Sequence, residues 1–146
     1  MNRPAGAPSR ASAAAAQYRP ALGALLWIQG VYFLVTGIWP LLDIDSFQLV
    51  TGPKTDLWLV RTVAVLVTVV GMTLISAARR KAVTRETFIL GVGSALALAA
   101  IDIFYVSIGR IARIYLADAA AELAIVLAWL FLYVVAPRRA GQGEDA

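Results

Sequence analysis

The chain has 146 residues, of which 60% are hydrophobic and 15% charged, against about 45–50% apolar and 25% charged in a soluble domain. It contains no cysteine and no histidine, which excludes disulfides, thiol catalysis and haem or iron–sulfur ligation by those side chains. No cofactor and no metal are expected, because a zinc site built from carboxylates alone is uncommon. The net charge of +4 arises in short loops and tails, so it indicates membrane orientation and not nucleic-acid binding.

The hydrophobic residues are concentrated in four runs, each close to the about 20 residues that a helix needs to cross a bilayer. A soluble core is disfavoured, because none of the runs carries a continuous polar face. The sequence therefore predicts an all-α integral membrane four-helix bundle that occupies residues 21–136. The predicted spans are Ala21–Leu42, Leu57–Ala77, Thr87–Ile108 and Ile114–Ala136.

The first twenty positions, residues 1–20, are rich in Ala, Pro, Ser and Arg and are predicted to form a disordered tail with a fraying turn at Ser12–Gln17. The hydrophobic run that follows is longer than a signal-peptide core and lacks a small-residue cleavage site, so it is interpreted as the first span. Pro40 is expected to help end this helix. Glycines at heptad spacing favour close approach of another helix, with polar groups beside them: Gly23, Gly30 and Gly37, then Gln29, Tyr32 and Thr36.

The segment between the first two spans, residues 43–56, reads DIDSFQLVTGPKTD. Ser46–Val50 has the composition of a short interfacial helix, and Gly52 with Pro53 turns the chain into the second span. Two interpretations are open. A simple connector is favoured because most loops only connect, and the alternative is a lid over an outward-facing cavity.

Short signals place the ends of the last two helices. Thr84 is expected to cap the third helix, with Glu86 in its first turn, where a negative charge suits the helix dipole. Gly109 is expected to end that helix before a very short connection. The third and fourth spans are therefore predicted to form an antiparallel hairpin.

The distribution of charge predicts the orientation in the membrane. Most lysines and arginines lie in the N-terminal tail, the loop 78–86 and the C-terminal tail 137–146, whereas Asp43, Asp45 and Asp56 cluster on the other side. The positive-inside rule then places both termini and the middle loop in the cytoplasm. A composition rich in Ala, Arg and Val is typical of a bacterium with a high-GC genome, so a multi-pass protein of the bacterial inner (plasma) membrane is predicted.

Several charged side chains lie within the predicted spans, where a charge costs about 2.5–3.5 kcal/mol on insertion scales. A rise of about 1.5 Å per residue places them all in the outer half of the membrane. One arginine against three carboxyl groups leaves an excess of negative charge, which requires a loop arginine (Arg110 or Arg113), a protonated carboxyl, or a cationic or basic ligand. The predicted cluster consists of Arg61, Asp102, Asp118 and Glu122, with Trp58, Tyr105, Tyr115 and Arg113 nearby.

Three functions fit that cluster, and an enzyme is not favoured. The first is a structural clasp of Arg61 with Asp102 or Glu122 in an accessory or membrane-assembly protein, because buried ion pairs often specify packing. The second is binding, or acid/base processing, of a small amphipathic or lipid-like ligand in a cavity between the second, third and fourth helices. The third is proton- or cation-coupled transport, for which so few helices would require a homodimer.

The segment Val50–Val63, VTGPKTDLWLVRTV, resembles the distinctive segment of an uncharacterised family of bacterial four-span membrane proteins. The resemblance implies the four spans and attaches no activity. Small multidrug-resistance transporters match less well, because their key acid is a Glu in the first helix, where this chain has only Gln29. The paired acids of sterol-isomerase-like membrane proteins are loosely similar to Asp102 and Glu122, without a shared motif.

Overall fold

The computed structural model describes residues 10–135, with side chains described from Tyr18 onward. Over these residues the chain is all-helical. Four helices are long and apolar enough to cross a membrane, which points to a multi-pass membrane protein, as the sequence predicts. The helices are α1 (Arg10–Leu42), α2 (Ile44–Thr51), α3 (Leu57–Arg79), α4 (Arg85–Ser107) and α5 (Tyr115–Leu130), which continues as a π-helix over Phe131–Val135.

The long helices follow the predicted spans closely except at the start of the first one. α1 begins at Arg10 and not at Ala21, so the segment predicted to be a disordered tail is helical from Arg10 onward. Alanine has the highest helix propensity, and the alanine-rich stretch extends the helix beyond its hydrophobic part. Pro40 lies inside the last turn of α1, which ends at Leu42. The predictions for residues 1–9, Ala136 and the tail 137–146 lie outside the described residues.

Small residues set the distance between α1 and α3. A Cβ added at Gly30 would lie 3.0 Å from the carbonyl oxygen of Gly71, and one added at Gly71 would lie 2.7 Å from the backbone nitrogen of Leu34. Gly37 approaches the α3 backbone just as closely, whereas Gly23 has nothing within 4 Å. The predicted close approach is therefore found at Gly30, which meets Gly71 of α3, and at Gly37, which meets Ala64 and Thr68. The sequence did not indicate Gly71 as a partner.

The hydrophobic core lies where α1, α3 and α5 meet, towards the connection between α3 and α4. Trp129 is fully buried there and meets the ring of Phe88 edge-on, with ring centroids 5.8 Å apart. We call this half of the molecule the core half. Its buried hydrophobic side chains are Leu22, Leu25, Leu26, Phe33, Leu74, Ala77, Ala78 and Trp129.

The hairpin of α4 and α5 has the predicted end signals. The Thr84 hydroxyl accepts from the backbone N–H of Thr87 at 3.3 Å, and the Thr87 hydroxyl accepts from the backbone N–H of Thr84 at 2.9 Å, which closes a capping box. Glu86 lies in the first turn of α4. At the other end Gly109 has a φ of 69°, a left-handed conformation that suits glycine at the end of a helix.

The segment 43–56 is more than a simple connector, because it contains α2. The carboxylate of Asp43 accepts from the backbone N–H of Ser46 at 3.0 Å and caps this helix, and the hydrogen bonds from Ser46 lower the pKa of Asp43. The indole N–H of Trp39 donates to Oγ of Ser46 at 2.8 Å, and its ring meets Phe47 edge-on at 5.5 Å. These contacts fix α2 against the end of α1.

Candidate ligand-binding cavity

A cavity of about 330 Å³ lies among α1, α3, α4 and α5, next to α2. This volume falls within the about 300–1,000 Å³ of small-molecule sites. We call this half of the molecule the cavity half. Most of the lining side chains are apolar, and the polar ones converge mainly from α4 and α5. The polar lining residues are Thr36, Asp102, Tyr105, Tyr115, Asp118 and Glu122.

The cavity reaches the surface between α3 and α4. Leu59 and Val63 on α3 and Ile101 on α4 line it, and their side chains are 48%, 44% and 54% exposed. The two helices make few contacts with each other, whereas α3 packs along α1 and α4 along α5. In a membrane this opening faces the lipid chains, because α3 and α4 are both apolar enough to cross the bilayer.

Two carboxyl groups lie deep in this cavity without a complete set of partners. Asp102 of α4 is 6% exposed and Glu122 of α5 is 1% exposed. Within the described part of the chain, Oδ2 of Asp102 and Oε2 of Glu122 have no hydrogen-bond partner. Buried polar atoms are nearly always hydrogen-bonded, because burying one without a partner costs about 1–3 kcal/mol and more for a charged group.

The third carboxyl group has a partner on α1. The hydroxyl of Tyr32 donates to Oδ1 of Asp118, which lines the cavity one helical turn before Glu122. Asp118 and Glu122 are neighbours on one face of α5, where two like charges would repel each other. Tyr32 therefore engages Asp118, whereas Oδ2 of Asp102 and Oε2 of Glu122 have no such partner in the described part of the chain.

Aromatic side chains line the end of the cavity next to α2, and a lysine contacts one of them. Phe47 of α2 and Tyr115 of α5 both line the cavity. Nζ of Lys54 donates to the carbonyl oxygen of Thr51 at 2.8 Å and lies 5.0 Å from the centroid of the Tyr115 ring, a cation–π contact. Burial lowers the pKa of Lys54. α2 thus contributes Phe47 to the cavity wall, and the choice between a connector and a lid stays a prediction.

The structure separates the acids of the predicted cluster from its arginines. Asp102, Asp118, Glu122, Tyr105 and Tyr115 line the cavity. Outside that lining lie three exposed residues, Trp58, Arg61 and Arg113.

Arg61 is excluded from the cavity by the rotation of α3. This helix turns Val60, Ala64 and Val67 to the cavity, and the position after Val60 is rotated by about 100° from it. The predicted clasp of Arg61 with Asp102 or Glu122 is not formed among the described residues. The predicted depths stay predictions, but a charge on another face of α3 does not reach the acids.

α1 contributes to the cavity in a way that the sequence analysis did not foresee. The cavity was predicted between the second, third and fourth spans, whereas Thr36, Gly37 and Pro40 of α1 also line it. Tyr32, which bonds Asp118, was noted only as a polar group beside the glycines. The available signal was its position within a span, because a tyrosine hydroxyl that is buried away from water usually finds a hydrogen-bond partner.

A contrasting polar site lies in the core half. Gln29 is fully buried, its Nε2 donates to the carbonyl oxygen of Gly91 at 2.8 Å, and its Oε1 accepts from the indole N–H of Trp129 at 2.8 Å. A Cβ at Gly91 would lie 2.9 Å from Nε1 of Trp129, so only glycine leaves room for this arrangement. Here every polar group of the buried amide is directed at a partner.

Metal binding has no support in the described residues, since no group of three or more His, Cys, Asp or Glu side chains among them is arranged to hold an ion. The chain matches no protein-family model, no curated protein and no solved structure. The resemblance of Val50–Val63 to a bacterial four-span family therefore stays a prediction, and function has to be argued from the cavity.

Proposed function

We propose that this protein binds a small amphipathic or lipid-like ligand, which enters the cavity from the bilayer between α3 and α4. One observation carries the proposal. Asp102 and Glu122 are almost completely buried, line a cavity, and each have one buried carboxyl oxygen without a partner among the described residues. Intramembrane acids usually face a partner, a cavity or a transport path, and these two face a cavity.

The division of the cavity into apolar and polar walls supports an amphipathic ligand. Val63, Val67 and Leu98 offer apolar contacts near the opening, and Asp102 and Glu122 offer hydrogen-bond acceptors within. Ligand sites generally combine mostly apolar walls with a few convergent polar groups. The apolar part of a ligand would extend towards the opening and its polar head group would meet the acids.

The structural role that the sequence analysis favoured has less support. A clasp requires a basic side chain against Asp102 or Glu122, and Arg61 is exposed and outside the cavity lining. Breaking a formed buried pair costs about 3–5 kcal/mol, but an acid without a partner provides no such stabilisation. Asp102 and Glu122 are therefore better suited to binding a ligand than to holding the helices together.

We further propose that the four long helices form a bundle in the bacterial inner membrane, with the termini and the α3–α4 connection in the cytoplasm. The distribution of lysine and arginine supports this orientation. The chain has no cysteine, so single cysteines at Lys81 and Asp56, both exposed, report sidedness cleanly. In intact cells a membrane-impermeant maleimide should label the cysteine at 56 and not the one at 81, and the reverse result would overturn the orientation.

Labelling with photoreactive amphiphiles tests the binding site directly. Three probes share one diazirine-bearing dodecyl chain and carry an amine, a hydroxyl or a carboxylate head group. Each is added to the full chain in lipid nanodiscs, and the labelled residues are mapped by mass spectrometry. We expect at least one probe to label cavity-lining residues of α3 and α4, and an excess of its non-photoreactive analogue to compete.

A matched pair of variants separates the cavity from the lipid-facing surface. Val63 and Val65 lie on α3 and are 44% and 49% exposed, but only Val63 lines the cavity. Val63→Phe should fill the opening and abolish the competed labelling, and Val65→Phe should leave it intact. Equal labelling of both variants and the wild type by all three probes would overturn the proposed function.

A further inference from the structure

We propose that the ligand of this cavity is an organic cation, an amphiphile with a protonated amine that Asp102 and Glu122 receive. The inference rests on the proposed function and names the chemical class of the ligand. It follows from the charges of the groups that line the cavity, from the contacts that already engage their neighbours, and from the arrangement of the two free acids.

The cavity lining is acidic and has no basic side chain to balance it. Asp102, Asp118 and Glu122 all line the cavity, and none of the lining residues, all within the described chain, is a lysine or an arginine. In a low-dielectric site a carboxylate without a counter-charge is costly. A cation in the cavity would lower that cost, whereas an anionic head group would add a like charge and be repelled.

The nearby groups that might balance the acids are occupied elsewhere. Tyr32 directs its hydroxyl to Asp118, and Oδ2 of Asp102 and Oε2 of Glu122 have no partner among residues 10–135. Lys54 does not line the cavity and is engaged by the carbonyl oxygen of Thr51 and the ring of Tyr115. An amine has several N–H donors on one cation and can therefore serve two acceptor oxygens at once.

The shape of the site favours an organic cation over a metal ion. The acids of the described chain do not gather into a group that could hold a metal. Aromatic side chains complete the walls instead, since Phe47, Tyr105 and Tyr115 all line the cavity. Aromatic faces attract ammonium groups, and the apolar opening between α3 and α4 accepts the attached hydrocarbon.

The three probes, used one at a time, test the head group. The probes differ only in that group, so their relative labelling of the cavity reports its charge preference. We expect the amine to label about tenfold more strongly than the hydroxyl probe, because a charge-assisted hydrogen bond is worth about one such factor, and the carboxylate to label least. Asp102→Asn and Glu122→Gln should each reduce the advantage of the amine, and the double variant should abolish it.

Asp56→Asn provides the matched control. It removes one negative charge at an exposed position outside the cavity, where Asp56 makes no side-chain capping hydrogen bond, and should leave the preference unchanged. If the amine and hydroxyl probes label equally and Val63→Phe still blocks both, the proposal of a cationic ligand is overturned. The proposed function would then stand. If Asp56→Asn removes the preference for the amine and Glu122→Gln does not, the preference arises from surface charge. That result would also overturn the proposal of a cationic ligand.

Discussion

The core half and the cavity half bury polar groups in opposite ways. In the core half, Gln29 is fully buried, and its amide is bonded to Gly91 and Trp129. In the cavity half, Asp102 and Glu122 are nearly as buried, and each has one carboxyl oxygen without a partner in the part of the chain that the structure describes. The same few helices thus contain one completed polar network and one that is incomplete. The contrast indicates that unsatisfied buried acceptors are a feature of the cavity half and not of the way these helices pack in general.

Proteins generally complete buried polar networks for stability and leave strained or unsatisfied groups where function requires them. On that basis the core half should govern the stability of the protein and the cavity half its binding. A substitution in the core half should therefore change stability and leave binding constant, and a substitution in the cavity half should do the reverse.

The largest effect is expected at the contact between α1 and α3. A Cβ at Gly71 would lie 2.7 Å from the backbone nitrogen of Leu34 and 2.8 Å from the carbonyl oxygen of Gly30, so the two helices must separate. Gly71→Ala should lower the free energy of unfolding by about 3 kcal/mol, towards the upper end of overpacking costs. Gly93→Ala is the control, since a Cβ there meets nothing within 4 Å. Equal melting temperatures for both variants in detergent would contradict the prediction.

A smaller loss is expected on removal of the buried amide. Gln29→Leu leaves the indole N–H of Trp129 without its acceptor, which should cost about 2 kcal/mol. Thr73→Val serves as control, because Thr73 is exposed and its hydroxyl donates to Val69 of its own helix. Thermal unfolding in one detergent compares the two. If Gln29→Leu melted like the wild type, the network would not stabilise the core half.

The smallest effect is expected at the start of α2, beside the cavity. The pKa of Asp43 is below its ordinary value, so the ionised cap stabilises α2 above the unfolded-state pKa, and this contribution is lost as pH falls through the native pKa. Amide hydrogen exchange in α2, corrected for the intrinsic pH dependence, should therefore accelerate on acidification. In Asp43→Asn the acceleration of exchange on acidification should disappear. If it persisted, another titrating group would be its cause.

Much of the fold follows from local signals in the sequence. The four hydrophobic runs give the long helices, Thr84 and Gly109 mark the ends of α4, and a short connection makes α4 and α5 a hairpin. Helical spacing likewise placed Asp102 on one face of α4 and Glu122 on one face of α5, and both line the cavity. These features depend on residues that are close together in sequence, so they can be predicted from the sequence directly.

The rest depends on contacts between distant segments. The rotation of α3 about its axis is set where Gly71 meets Gly30 of α1, and that rotation decides that Arg61 is exposed. In the same way, the position of α2 depends on Trp39 bonding Ser46. Periodicity gives the depth of a side chain along its helix but not which neighbouring helix it faces, so the clasp of Arg61 was predicted and the contact of Tyr32 was not.

The central claim is that the acids of the cavity half serve a ligand and not the stability of the protein. The most direct measurement takes the melting temperature and the competed labelling by the amine probe from the same preparations of wild type and Glu122→Gln in nanodiscs. We predict an unchanged or higher melting temperature, because a buried acid without a partner is removed, together with a loss of labelling that is part of the about tenfold advantage of the amine. A lower melting temperature with unchanged labelling would show that Glu122 stabilises the protein and would contradict the account.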